Sequence, residues 1–208
     1  MTDRDLSRPW PALLQEWSRL WLSPDAHEEV ERRFPPEAHA TGWFGTDGAT
    51  EADIEALERR LGTRLPPSYR EFLAVSNGWS HVDDIQGPLL PTQQVGWLRD
   101  LDPDLVECWS NREDDPAIPD EEYLRYDEDQ ESETVRGEYF RTALRISEWG
   151  DSALLMLNPA VVNPQGEWEA WAFARWYPGA YRQPSFWDLM VHLIKSDHPD
   201  ADWPRLGL

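Results

Sequence analysis

An α+β fold is what the sequence predicts, and three observations carry the prediction. Apolar residues recur at helical spacing in separate segments, at 10–21, 54–73 and 186–194. Between the second and third lie apolar runs too short for helices, at 144–146, 153–157 and 168–174, which read as strands. Glycine, proline and Asn-Gly pairs punctuate the chain between them.

The bulk properties narrow the function classes. A chain of 208 residues with 40% hydrophobic content and thirteen tryptophans can bury a full core, as one domain or as one domain with an extension. Its net charge of −21 disfavours nucleic acid and anionic membranes as direct partners, since phosphate binding needs Lys and Arg. It favours a basic partner, or one without charge. Cys108 is the single cysteine, so no internal disulfide and no cysteine-based zinc site is expected. Its place beside Trp109 in a short helix suggests a packed thiol. The first residues lack the apolar stretch of a signal peptide, and no run approaches the ~20 apolar residues of a membrane helix. A cytoplasmic location is the expectation, and a reducing compartment fits the cysteine count. No internal repeat is present.

The elements follow in order. Trp10, Leu13, Leu14, Trp17, Leu20 and Trp21 form one apolar helix face, which Ser23-Pro24 ends. That stripe would dock on the domain or form a dimer seam or partner groove. A polar helix over 25–34 is expected next, closed by Pro35-Pro36. Thr50 is a good N-cap with Asp53 in the capping-box position; Ile54, Leu57 and Leu61 make the stripe, and Gly62 supplies a left-handed stop. Pro66-Pro67 starts a second helix running to Ser76, with Tyr69, Phe72, Leu73 and Ser76 inward and Asn77-Gly78 as terminator. Val95–Leu98 suggests a short strand, and Leu101–Asn111 a short helix capped by Asp102. Leu144 and Ile146 alternate with polar neighbours. Ala153–Leu157 reads as a strand buried on both faces, Asn158–Gly166 as a loop, and Trp168–Ala174 as a strand with Trp171 and Phe173 on one side. Tyr177-Pro178-Gly179 is a turn. Ser185 caps a last helix, and the tail beyond it is expected to be frayed or loosely docked.

Residues 100–133 hold fifteen Asp or Glu against Arg112 and Arg125, a local charge of −13. One reading is a solvated, partly disordered insert, because dense like charge repels itself. The other is a surface that meets a basic partner, with aromatics as anchors, since interface hot spots favour Trp and Tyr. The candidate contact residues are Trp109, Asp114, Asp115, Glu121, Glu122, Tyr123, Tyr126, Asp127 and Glu128; the aromatics serve equally well as core.

Chemistry finds little purchase. The five histidines lack the one-turn spacing of a helical metal pair. His81 with Asp83 and Asp84 is the closest approach to a metal or acid–base cluster. No nucleophile elbow, phosphate loop or dinucleotide-binding glycine pattern occurs. No catalytic, cofactor or metal residue is assigned.

The run from Ile54 to Leu73, followed by Ser76-Asn77-Gly78, closely resembles the signature of the SUKH superfamily, and most of all its Smi/Knr-like group. The positions carrying it are Leu57, Leu61, Gly62, Leu65, Pro66, Tyr69, Phe72, Leu73, Asn77 and Gly78. The Trp149-Gly150-Asp151 turn and the Ser185–Leu189 helix start follow in the order that family shows. The resemblance implies a SUKH-type α+β fold with helices on a mixed, mostly antiparallel sheet. It spans roughly 43–195, with an N-terminal helical extension over 1–42, the acidic insert at about 100–133 and a tail over 196–208. It further implies a non-enzymatic protein-binding module, an immunity protein neutralising a toxin of nuclease type by occlusion. The alternatives are an intracellular scaffold and, more distantly, a hydrolase using the His81 region. The signature residues themselves read as core: Leu57, Leu61, Leu65, Tyr69, Phe72 and Leu73 pack the helix pair on the sheet. Glu58 either stays exposed or pairs with Arg70.

Overall fold

The structure is a computed structural model that describes residues 8–23, 34, 36–111, 117–176 and 178–206. The polar helix expected over 25–34 falls outside them, except for Phe34, a buried core residue. Asp114, Asp115 and Tyr177 also lie outside.

Local signals explain why the elements begin and end where they do. Helix α1 is Trp10–Trp21, and a single-turn-and-a-half helix α2 follows at Pro36–Thr41. Helix α3, Glu51–Leu61, opens on a complete Thr50–Asp53 capping box and closes on Gly62 at φ +72°. Helix α4, Pro67–Val75, starts from extended Pro66. It ends at Ser76, and of the Asn77-Gly78 pair only Gly78 takes positive φ. Asn77 works through its side chain instead, whose Oδ1 accepts the Thr92 N–H at 2.7 Å.

Five strands form one sheet in the order β1-β2-β3-β4-β5: Gly96–Trp97, Leu144–Arg145, Ala153–Val162, Trp168–Ala174 and Ala180–Gln183. Every pairing among them is antiparallel, without the parallel pair a mixed sheet would carry. Strand β3 lies in the centre and is buried on both faces from Ala153 to Asn158. It continues to Val162, into the first half of the stretch 158–166 expected to be a loop, because Val162 still pairs with Trp168 after a register shift, and only 163–166 turn. Strand β5 had no apolar signal of its own.

Alternation along β3 and β4 divides the core in two. Leu155, Leu157, Ala170 and Ala172 face one side, with α1, α3, α4 and the last helix, α8 (Phe186–Asp197). Alanines at 170 and 172 leave room for those helices. Phe186 stands 5.0 Å from Tyr69 and 5.3 Å from Phe72, and Trp10 packs on Phe72, Phe186 and Trp187. The α1 stripe Trp10, Leu13, Leu14, Trp17 is therefore spent inside this core, not free for a dimer seam. Leu57, Leu61, Leu65, Tyr69, Phe72 and Leu73 are all buried there, each stabilising the fold by about 1.5–3 kcal/mol. The tail docks too: Trp203 is buried in the same cluster, its indole N–H donating to the His198 carbonyl at 3.0 Å.

Leu154, Met156, Trp171 and Phe173 point to the opposite face. It is covered by α5 (Leu98–Leu101), α6 (Pro103–Ser110, capped by the Asp102 side chain), α7 (Asp120–Tyr123) and the 3₁₀ turn Gly137–Arg141. The acidic segment is thus a structural layer. Cys108 is exposed on α6, contrary to the packed thiol expected, because the inward face of that helix is taken by Leu105, Val106 and Trp109.

Gly62 has open space around the position of a Cβ, so substitution there tests backbone conformation alone. Gly62→Ala should lower unfolding free energy by about 1–2 kcal/mol, the cost of a left-handed L-residue. Urea denaturation followed by circular dichroism will read this, with Gly62→Asn falling between the two.

Candidate protein-binding surface

Two glutamates of strand β4 and its approach enter the protein interior, and both hold distant segments in place. Glu167 is 1% exposed. It accepts from the Ser68 N–H at 3.0 Å and the Ser68 hydroxyl at 2.6 Å, and Arg8 Nη2 donates to it at 2.6 Å. It thereby caps the first turn of α4, whose own N-cap, Pro66, offers no side-chain acceptor. On the helix pair itself, Glu58 accepts from the Leu65 N–H at 3.0 Å and from Arg70 Nε at 3.2 Å. Of the two readings of Glu58, the paired one holds.

Glu169 faces the acidic layer. It shares one side of β4 with Trp171 and Phe173, and lies opposite Asn158 on β3. Its carboxylate accepts from Trp171 Nε1 at 2.6 Å, Tyr123 Oη at 2.7 Å, Asn158 Nδ2 at 2.8 Å, Tyr126 Oη at 3.0 Å and Arg182 Nη1 at 3.1 Å. Both members of the Glu169–Arg182 pair have fully buried side chains. A buried charge is tolerable only when paired and fully hydrogen-bonded, and these donors meet that condition for the carboxylate. Burial first, and then the negative Glu169 beside them, push the Tyr123 and Tyr126 phenols far above their usual range, so both remain donors. Arg182 also lies under the Tyr123 ring, 4.2 Å from its centroid, and bonds the Tyr123 carbonyl.

The layer is pinned at the sheet edge as well. The Gln130 side chain accepts from the Arg182 backbone N–H at 2.6 Å and donates to its carbonyl at 2.9 Å, mimicking a paired strand. The Ser132 carbonyl accepts the Ala180 N–H at 3.0 Å. A Cβ on Gly179 would stand 2.0 Å from that same carbonyl, so only glycine permits this approach.

These placements sort the candidate contact residues. Tyr123 is fully buried and is corrected from a surface anchor to an interior clamp: its hydroxyl is engaged by Glu169 and its ring by Arg182. Trp109 is half-buried, stacked 5.1 Å from Phe140 and edge-on to Phe173 at 5.3 Å. Tyr126 is half-buried with its hydroxyl turned inward. Glu121, Glu122, Asp127 and Glu128 are exposed, together with Asp129, Glu131 and Glu133. The burial requirement therefore draws the aromatics inward and leaves these carboxylates exposed. Glu169, Arg182, Gln130 and Asn158, which build the support, escaped the sequence reading.

The His81 region has another character. The imidazole lies edge-on to Trp21 and Phe34, at 4.5 Å from each, within an aromatic cluster. Asp83 turns back on its own chain, accepting from the backbone N–H groups of Ile85 and Gln86. Burial holds its carboxyl above the usual range against those two donors. Among the described residues no group of three His, Cys, Asp or Glu side chains is arranged to hold a metal ion, and no helix is long and apolar enough to cross a membrane.

Removing Glu169 strands the buried Arg182 charge. Glu169→Ala should cost about 3–5 kcal/mol in urea unfolding, whereas Tyr126→Phe, which removes one donor of several, should cost about 1.5 kcal/mol. Equal effects of the two substitutions would contradict the central place given to the carboxylate.

Comparison with curated proteins gave no match. Comparison with protein families gave one: residues 48–191 match the SMI1 / KNR4 family (SUKH-1). The matched stretch takes in the α3–α4 pair, all five strands, the acidic layer and the first half of α8. Such membership is consistent with an immunity-type, protein-binding module. On a match over more than half of its length, the chain belongs to the SMI1 / KNR4 (SUKH-1) family.

Proposed function

We propose that this protein is a non-enzymatic immunity-type module of the cytoplasm, neutralising a basic toxin domain of nuclease type by covering its substrate-binding surface. The observation that carries the reading is the acidic layer. Its underside is anchored in the core, while Glu121, Glu122, Asp127, Glu128, Asp129, Glu131 and Glu133 stand exposed, with Arg125 the exposed arginine among the described residues 117–133. A nuclease must present positive charge to its substrate. A fixed acidic face can occupy that same charge, and opposite fields speed encounter by ~10–10³-fold in favourable cases.

The arrangement suits occlusion in a second way. A disordered acidic tail would lose conformational entropy when it docks. Here Tyr123, Tyr126 and Gln130 already hold the backbone through Glu169 and Arg182, so that ordering has been completed in folding.

The test is reconstitution with basic nuclease-type toxin domains, first among them any encoded by a neighbouring gene. A 1:1 complex should form, block the toxin's activity, and weaken at least ~10-fold from low to high salt, as screening removes the long-range attraction. An affinity indifferent to salt would remove the acidic layer from the contact. Stable association with a housekeeping protein, and none with the toxin, would favour a scaffold role.

A further inference from the structure

Among the described residues, the large apolar side chains that stand exposed are Ile85, Leu101, Leu124, Val162 and Trp176. Single exposed apolar residues are ordinary on a protein surface. Ile85 and Trp176 differ, because both are tied to one residue of the turn 149–152 that leads into β3. Asp151 donates its backbone N–H to the Ile85 carbonyl at 2.8 Å, and its own carbonyl accepts the Trp176 indole N–H at 3.0 Å. Trp176 is nevertheless 52% exposed, and Ile85 39%.

The indole is held outward by a turn that is itself fixed. A Cβ on Gly150 would stand 2.1 Å from the Ile85 carbonyl, so the turn is closed tightly against that segment. Ser152 takes φ +56°, a left-handed conformation for a residue with a side chain, and its carbonyl accepts the Arg175 N–H at 2.9 Å. Trp149 packs on the acidic layer's core, donates to Asp102 Oδ2 at 3.1 Å and carries Arg175 over its ring at 4.6 Å. Backbone strain gathers where a side chain is positioned for use. A ring fixed before binding loses little conformational entropy on docking, and Trp and Arg are the residue types that dominate interface energies.

Position and charge indicate the occupant. Two residues past Trp176, Pro178 lines a hollow together with Glu131, Glu133 and Glu138 of the acidic layer. The exposed indole thus borders the surface assigned above to a basic partner. Asp84, Glu148 and Asp151 are exposed near it and repeat that sign, Glu148 holding Arg145 at 2.9 Å. A second copy of this chain, at −21, would meet its own charge there, as would an anionic membrane. We propose that Trp176, flanked by Ile85, is the apolar anchor of the partner interface, seated in an apolar pocket of the basic domain while the acidic layer engages that domain's cations. The proposal rests on the protein-binding reading above and divides its labour: the carboxylates speed encounter, and the indole slows release.

The two contributions separate kinetically, on a biosensor carrying the full chain and exposed to each basic toxin domain that binds it. Trp176→Ala should raise koff by at least ~30-fold and leave kon and its salt dependence unchanged. Ile85→Ser should raise koff by ~3-fold. Glu121→Gln/Glu122→Gln should instead lower kon and flatten its salt dependence. All these side chains are exposed, so the urea midpoints should stay close to that of the wild type. If a toxin domain binds Trp176→Ala and the wild type alike, the anchor falls and the immunity reading stands. Where no toxin domain binds, displayed random peptides selected on the full chain and rescreened on Trp176→Ala decide the matter. Peptides that join Lys or Arg to a large apolar residue and lose at least ~10-fold in affinity on the variant would keep the anchor and assign it to another basic protein. Peptides that bind both chains alike, or a selection that yields none, would overturn it.

Discussion

A central strand that is apolar on both faces cannot be left with one face in water, and that constraint organises this molecule. Strand β3 presents Leu155 and Leu157 to one side and Leu154 and Met156 to the other. The helices α1, α3, α4 and α8 cover the first. Among the described residues the second is covered mainly by the region 98–143, a stretch rich in carboxylates, with Trp149 packed beside it. The chain therefore has to fold its most charged segment onto its most apolar surface. It does so by turning Leu105, Val106, Tyr123, Val135 and Phe140 inward and, among the described residues, nearly every carboxylate outward.

Apolar contact alone would leave such a layer poorly fixed, since dispersion and burial are not directional. Direction comes from Glu169, which gathers two tyrosine hydroxyls from the layer and three donors from the sheet. Glu167, two residues earlier, points to the other side and performs the corresponding task for α4. Glu169 lies in β4 and Glu167 just before it, and strand alternation carried back by one residue would send both to the same face. The register shift between Asn158 and Val162 coincides with the change, and a bulge of this kind re-aims side chains in just this way.

The parts of this architecture that the sequence revealed are those decided within a few residues. Thr50 and Asp53 cap each other three positions apart, Gly62 leaves its helix through its own backbone, and Ser185 accepts from Asp188. The continuous apolar run in β3 announced a doubly buried strand for the same reason. What escaped depends on partners far along the chain. Glu167 meets Ser68 across 99 positions and Glu169 meets Tyr123 across 46. Strand β5 was missed because its arginine and glutamine look like surface residues, and Arg182 is buried only because Glu169 is there to pair with it. Prolines at 159 and 164 suggested a loop over 158–166, of which only the part after Val162 is turn, β3 continuing through Pro159; and the charge of the acidic segment masked the few apolar side chains that decide its burial. On the acidic face, Glu121, Glu122, Asp127 and Glu128 could be named from sequence as surface carboxylates, whereas the support that holds them could not.

A net charge of −21 opposes compaction through self-repulsion, so a protein that carries it must gain something from keeping those charges together. If repulsion were the only consideration, the carboxylates would be spread evenly over the surface. The net charge is concentrated instead, −13 of the −21 falling within residues 100–133, on a layer clamped from beneath by a buried ion pair that itself adds little to stability, since a well-packed apolar pair of the same volume would do as well or better. What a buried pair with several converging donors does provide is a single geometry for the segment above it. An acidic surface held in a single geometry is of little use to the fold and of considerable use to recognition, where the position of each charge sets which basic partner it meets.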